Sequence, residues 1–169
     1  MILFLDFDGV LHPDSVFLTR KGPKLRSEGE LFMWVGFLED ILQDLPDVRI
    51  VLSTSWIRNI GYSRAVKRLP LAVQQRVVGA TWHSSMASGW ADENLWDQSS
   101  RYSQILRYVA RSAVSDWVAL DDDTEGWADA DLCRLVAVDP VLGLSEERAR
   151  SELRSKLNSP RTGGGSIGL

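Results

Sequence analysis

The chain has 169 residues, of which 44% are hydrophobic and 25% charged, enough for one domain with a sizeable core and too polar for a membrane-embedded protein. A single cysteine, Cys133, excludes an intramolecular disulfide and a cysteine-based zinc cluster. The net charge of -4 comes from 23 acids against 19 bases, but five of the acids (Asp6, Asp8, Asp121, Asp122 and Asp123) fall in two short clusters; the other 18 nearly balance the bases. The negative excess is therefore assigned to a local site. An extensive basic nucleic-acid groove is not expected; Arg20, Lys21, Lys24 and Arg26 form one local basic stretch that is read as a solvated loop, with contact to phosphates as the alternative.

In chain order, Ile2-Leu3-Phe4-Leu5 reads as a short buried strand that ends in Asp6 and Asp8. Residues 12 to 29 are rich in Pro, Gly and charge and read as a loop. Leu31, Trp34, Val35, Leu38, Ile41, Leu42 and Leu45 recur at helical spacing, with Pro46 and Asp47 ending that helix. Arg49 to Ser53 is the second strand, a helix is expected around Ser63 to Arg68, and Arg76 to Thr81 is the third strand. Ile105, Leu106, Tyr108 and Val109 mark an amphipathic helix, Val118 to Leu120 a fourth strand and Arg134 to Val138 a fifth. Ser145 is placed as the N-cap of a last helix running to Leu157. Cys133, beside the fifth strand, is expected in the core. This alternation predicts an α/β fold: a Rossmann-like three-layer sandwich with a central, mainly parallel five-stranded sheet. The domain is drawn at 1–158, with 159–169 as a flexible Gly/Ser-rich tail. No apolar run is long enough to span a membrane, and the N-terminus lacks the features of a signal peptide, so the expected location is cytoplasmic.

Two carboxylates one residue apart at a strand end, followed by Gly9, suit a hard cation bound at the carboxyl edge of a sheet, and Mg²⁺ is the first expectation. The competing reading, that Asp6 and Asp8 are turn residues, has about equal weight for the motif alone. The three adjacent acids Asp121-Asp122-Asp123 repel one another unless a cation sits among them, which favours a metal over a turn. Trp56, Trp82 and Trp90 lie in loop-like stretches where they could line a pocket and stack on a base. His12 is read as shaping the edge of the site, and His83 has no assigned role.

Asp6-Phe7-Asp8-Gly9-Val10-Leu11-His12-Pro13 resembles the first motif of the haloacid dehalogenase (HAD) superfamily. Arg49 to Ser53 resembles its second motif, Arg101 stands where a basic third motif is expected, and Trp117 to Asp122 resembles its fourth. The pattern is similar in particular to small HAD domains associated with RNA-repair proteins, on the residues DGVLHP, LSTSW and Gly143-Leu144-Ser145. The resemblance implies a phosphatase in which Asp6 is the nucleophile and Asp8 the general acid and base. It also implies phosphate binding by Ser53, with Thr54 or Ser55 as alternatives, and by Arg101, with Arg107 or Lys67 as alternatives. The metal would be held by Asp6, by Asp8 through its backbone carbonyl, and by Asp122 with Asp121 in support. The substrate would be a phosphorylated compound, and a nucleic-acid end is one option. Only about 40 residues separate the first from the second motif and the second from the third, so no full cap domain is expected. Three alternatives stay open: a non-catalytic phosphate- or metal-binding module of a repair complex, a small-metabolite phosphatase, and a phosphoaccepting receiver domain. The receiver requires an acid at the end of a middle strand, where this chain has Ser53 and Thr81.

Overall fold

The computed structural model describes residues 1–83 and 98–159. Strands β1 (Ile2–Leu5), β4 (Arg49–Leu52), β5 (Val77–Ala80), β6 (Trp117–Asp121) and β7 (Leu135–Ala137) form one sheet in the order β5-β4-β1-β6-β7, with every neighbouring pair parallel. All five strands lie within a residue or two of the expected positions. The chain moves outward from β1 through β4 to β5, then returns to the other side of β1 for β6. That reversal creates a crevice at the carboxyl ends of β1 and β6, where open α/β sheets bind ligands.

Alternation along β1 divides the core into two layers. Leu3 and Leu5 join Ile50, Leu52, Val118 and Leu120 on one face, under α1 (Val35–Gln43), α2 (Trp56–Ile60), α3 (Tyr62–Val66), α4 (Leu71–Gln74) and α6 (Glu147–Asn158). Phe4 joins Val51 and Ala119 on the other face, under Tyr102 and Ile105 of α5 (Arg101–Arg111). This is the three-layer sandwich expected from the pattern. Because strands buried on both faces need apolar residues at every position, their sequences read as continuous runs.

The differences from expectation are local. Residues 12 to 29 contain a hairpin, β2 (Val16–Thr19) paired antiparallel with β3 (Gly22–Leu25). Its turn is closed by Thr19, whose hydroxyl donates to the Gly22 carbonyl and accepts from the Lys21 amide, while Gly22 takes φ +109°. Pro23 and the charges mask the strand pattern, but a two-stranded ribbon has only edges, and edges tolerate both. The first helix is shorter than its apolar periodicity, since Phe32 adopts φ +64° and breaks it before Val35. The helix expected around residues 63 to 68 is the second of two short ones separated by Gly61 at φ +89°. Ser145 does not cap the last helix. It ends a 3₁₀ turn (Gly143–Ser145) and spends its hydroxyl on the Leu142 carbonyl, which leaves Glu146 at the cap. Cys133 is exposed, not buried, because it falls in a 3₁₀ helix (Asp129–Arg134) that precedes β7.

Between β1 and α1 the chain inserts only the small hairpin, and no cap domain is present among the described residues. Trp90 and the Gly/Ser-rich residues 160–169 lie outside the described residues. No helix among the described residues is long and apolar enough to cross a membrane.

Candidate active site

The strand register sets the site. Leu5 pairs with Leu52 and Leu120, so the next residues on the three strands, Asp6, Ser53 and Asp121, share the carboxyl edge. Backbone hydrogen bonds extend the sheet by this one step: Ser53 N–H donates to the Leu5 carbonyl at 2.8 Å and Asp6 N–H to the Leu120 carbonyl at 3.2 Å. Residues 47 and 115 positions from Asp6 are thereby brought beside it, which no short-range pattern encodes.

Asp6, Asp121 and Asp122 each offer a carboxylate oxygen, and these oxygens lie within 4.8 Å of one another. Asp6 and Asp121 are buried and Asp122 is partly buried. Burial pushes the Asp6 carboxyl up to about 6, with Asp8 adding to the rise and Arg101 opposing it. Burial and then Asp6 push Asp121 well above the ordinary range. Burial, with Asp6 and Asp14 next, pushes Asp122 up to about 7. Three acids that each resist ionisation beside the others form a site that gains from a cation.

The acids after β6 divide their labour. Asp121 Oδ1 accepts from the Asp123 amide at 3.0 Å, and Asp123 Oδ1 accepts from the Glu125 amide at 2.8 Å, so Asp121 and Asp123 build the turn. Asp122 is the acid aimed along Gly9. A Cβ placed on Gly9, which has φ +69°, would come within 2.5 Å of the Asp122 Cγ. Glycine is required here both by backbone conformation and by the close approach of this carboxylate.

Arg101 opens α5 directly after Ser100, whose hydroxyl caps the helix by accepting from the Ser103 amide. Its guanidinium stands between two acids, with Nη2 3.5 Å from Asp6 Oδ2 and Nε 3.3 Å from Asp121 Oδ2. Of the three basic candidates for this position only Arg101 reaches the acids: Arg107 bonds Ser99, and Lys67 is exposed on α3's C-terminal side.

Asp8 lies outside the three-acid cluster, held by a separate cradle. Trp56 Nε1 donates to both of its oxygens, and His12 Nε2 lies 3.0 Å from Oδ1. His12 Nδ1 accepts the Phe32 amide at 3.2 Å, so its proton is on Nε2 and points at Asp8. Phe32 packs edge-on and Trp56 at a tilt against the fully buried imidazole. Trp56 is thus a buried hydrogen-bond donor at the site and not the open stacking surface expected from its loop-like neighbours. Nothing local in the sequence announces that its indole meets a residue of the first loop. Trp82 lines a hollow of 690 Å³ beside Tyr62 and the end of β5, whose described lining includes neither the acids nor Arg101.

Ser53 and Thr54 are both buried at the start of the turn into α2. Among the described residues Ser53 Oγ has no hydrogen-bond partner, nor has Asp6 Oδ1, whereas the Thr54 hydroxyl acts on Asp6 and restrains its pKa. Gly143-Leu144-Ser145 closes the back of the first loop: Leu144 N–H donates to the Val10 carbonyl at 3.0 Å, and Gly143 leaves no room for a side chain against that carbonyl and Trp34.

A family model described as the HAD domain in Swiss Army Knife RNA repair proteins matches residues 2–149. The chain belongs to that family. Curated proteins and solved structures returned no match. In this HAD domain the buried acid pair, the capped Arg101 and the acids after β6 occupy the crevice that the sheet order creates. An all-oxygen donor set with an unpartnered buried carboxylate oxygen fits a divalent cation, which Asp6, Asp121 and Asp122 could hold.

Proposed function

We propose that this HAD domain is a Mg²⁺-dependent phosphatase that works through an aspartyl-phosphate on Asp6 and acts on the phosphorylated end of a nucleic acid. The observation that carries the reading is the different treatment of two acids one residue apart. Asp6 is buried beside Arg101 with Oδ1 unpartnered, while the Asp8 carboxylate is fixed by Trp56 and His12 outside the acid cluster. A nucleophile and a proton carrier need this separation.

In the first half-reaction an Asp6 oxygen attacks phosphorus in line with the leaving oxygen, and the ester bond breaks as Asp8 delivers its proton to that oxygen. In the second half-reaction Asp8, now a carboxylate, takes a proton from water, which attacks the same phosphorus and releases Asp6 and inorganic phosphate. Arg101 and the Ser53 hydroxyl supply positive charge and a hydrogen bond to the phosphoryl oxygens. Mg²⁺, when bound, offsets the repulsion between the carboxylates and the phosphate. Trp56 and His12 hold the Asp8 carboxylate still through both proton transfers. The family's tie to RNA repair proteins and the absence of a cap domain among the described residues support a large phosphorylated end as substrate.

The test compares kcat/KM for a 3′-phosphorylated oligonucleotide, a 5′-phosphorylated oligonucleotide, a mononucleotide and p-nitrophenyl phosphate, with and without Mg²⁺. Turnover that requires Asp6 and prefers an oligonucleotide is the expected result. Absence of turnover on every substrate in Mg²⁺ would favour a non-catalytic binding module, and preference for the mononucleotide would favour a metabolite phosphatase.

A further inference from the structure

We propose that the cleft between the β2–β3 hairpin and helices α2 and α3 binds the sugar-phosphate backbone of the strand whose phosphorylated end enters the site. The proposal rests on the phosphatase reading for that end, and names the surface that would hold the rest of the substrate. The cleft has a volume of 670 Å³, and five of its lining residues are cationic: Arg20 and Lys21 at the hairpin turn, with Arg64, Lys67 and Arg68 opposite. No Asp or Glu among the described residues lines it. All five side chains are exposed, and none forms an ion pair with a described residue.

A solvated basic face is the ordinary reading of scattered surface cations. Here the geometry argues for more. The chain carries a net charge of -4, so five unopposed cations lining one cleft represent a segregation of charge. The two walls also meet: a Cβ on Gly22 would lie 3.6 Å from Arg68 Nη2, so Arg68 spans from the helix side to the hairpin turn. Exposed Leu18 adds an apolar contact on the hairpin wall.

The cleft and the site share two segments of chain, the helix α2 and the loop after β1. Trp56 opens α2 and donates to Asp8, while Asn59 and Ile60, on the same helix, line the cleft. At 1.5 Å per residue the cleft begins about 4.5–6 Å along the helix from the residue that holds Asp8. The hairpin springs from the same loop as Asp8 and His12, and its base is pinned by the Ser15–Ser27 hydroxyl pair at 2.7 Å and by the Arg26 amide on the Ser15 carbonyl. Both walls therefore rise from the carboxyl edge of the sheet. A ligand with one phosphate at Asp6 and further phosphates along its length matches this layout.

The triple variant Arg64→Gln/Lys67→Gln/Arg68→Gln and, on the opposite wall, Arg20→Gln/Lys21→Gln test the assignment, with melting curves to show that each folds. Binding is read by fluorescence anisotropy of a 5′-labelled, 3′-phosphorylated single-stranded oligonucleotide on the Asp6→Asn background. Turnover is read on active protein with that oligonucleotide and with p-nitrophenyl phosphate. Five phosphate contacts give a slope of log K against log salt of about -3.5, and removing three makes it shallower by about 2. The expected result is that KM for the oligonucleotide rises at least about tenfold in the triple variant, with kcat/KM for p-nitrophenyl phosphate unchanged. Unchanged oligonucleotide KM and salt slope in both folded variants would overturn the cleft and leave the phosphatase reading standing. Displacement of the oligonucleotide by polyglutamate of equal charge at equal concentration would also overturn it, in favour of an acidic peptide. Conversely, cleft-dependent oligonucleotide binding by a protein that hydrolyses neither substrate would support the cleft while refuting the phosphatase.

Discussion

The Trp56 indole donates to both carboxylate oxygens of Asp8, at 2.9 Å to Oδ1 and 3.0 Å to Oδ2, across 48 positions of sequence. His12 adds a third contact, and its own tautomer is set by the Phe32 amide. A carboxylate gripped in this way loses rotational freedom before substrate arrives, and orientation of a proton carrier is worth rate. Trp56→Phe keeps the aromatic packing and removes the donor. Its kcat on an alkyl phosphate ester is expected to fall about 10- to 100-fold, less than the full contribution of about 10²- to 10⁴-fold from general acid catalysis because Asp8 itself remains, with KM little changed. With p-nitrophenyl phosphate, whose leaving group departs without a proton, the loss is expected to be much smaller. Equal losses on both substrates would mean that Trp56 only supports the fold.

Asp6→Asn removes the proposed nucleophile and one buried charge with almost no change in shape. Turnover is expected to drop by at least about 10³-fold while the metal-free protein keeps or gains melting temperature, since the buried acid resists ionisation. Asp8→Asn is expected to be similarly inactive on alkyl esters, but to retain the ability to form the aspartyl-phosphate from a substrate with a good leaving group. Mass spectrometry of rapidly quenched protein detects that adduct, and its presence in Asp6→Asn would refute the covalent mechanism.

The raised carboxyls set the sign of a pH effect. Asp6 titrates near 6 and Asp122 near 7 in the folded protein, above the ordinary value of 3.8 in the unfolded chain, so the folded state binds more protons between those limits. For these groups stability of the metal-free protein falls as pH rises from about 4 to about 7, and is regained on acidification. Metal binding needs the ionised forms, so stabilisation by Mg²⁺ is expected to grow over the same interval. Melting curves at pH 5.5 and 7.5, with Mg²⁺ or EDTA, compare wild type with Asp122→Asn. The variant should show a flatter metal-free pH dependence and a reduced Mg²⁺ shift. An identical Mg²⁺ shift at both pH values would count against the three-acid metal site.

Gly9→Ala puts a side chain into a left-handed backbone position and against the Asp122 carboxylate. The conformational cost alone is about 1–2 kcal/mol. Displacement of Asp122 should further weaken Mg²⁺-dependent stabilisation, which the same melting curves measure. Loss of stability with an undiminished Mg²⁺ shift would show that Asp122 does not hold the ion.

Arg101→Met leaves Asp6 and Asp121 buried without their shared cation. Breaking a buried pair from one side typically costs about 3–5 kcal/mol. Mg²⁺ offers the same acids a replacement charge, so the deficit in denaturant melts should shrink in its presence. Activity should remain low, because the phosphoryl oxygens lose a donor. A deficit that Mg²⁺ leaves unchanged would separate Arg101 from the metal-binding acids.

Sequence alone determined the sheet, because a parallel strand covered on both faces must be apolar throughout, and five such runs separated by helical patterns leave little choice of architecture. It also placed Asp6, Asp8, Ser53 and Asp121–Asp122 at the ends of strands, since a strand that leaves the core ends where polar residues begin. Tertiary structure decided what those residues face. Strand register put Asp6 beside Asp121, the turn after β6 used Asp121 and Asp123 and left Asp122 to meet Gly9, and the cap on α5 selected Arg101 over Arg107 and Lys67. His12 at the site edge and the basic stretch from Arg20 to Arg26 were legible, but the contact of the Trp56 indole with Asp8, the hairpin and the helix wall that faces it were not. An indole or a ribbon of edge strands acquires its partner only when segments distant in sequence are packed together, and local periodicity carries no information about such contacts.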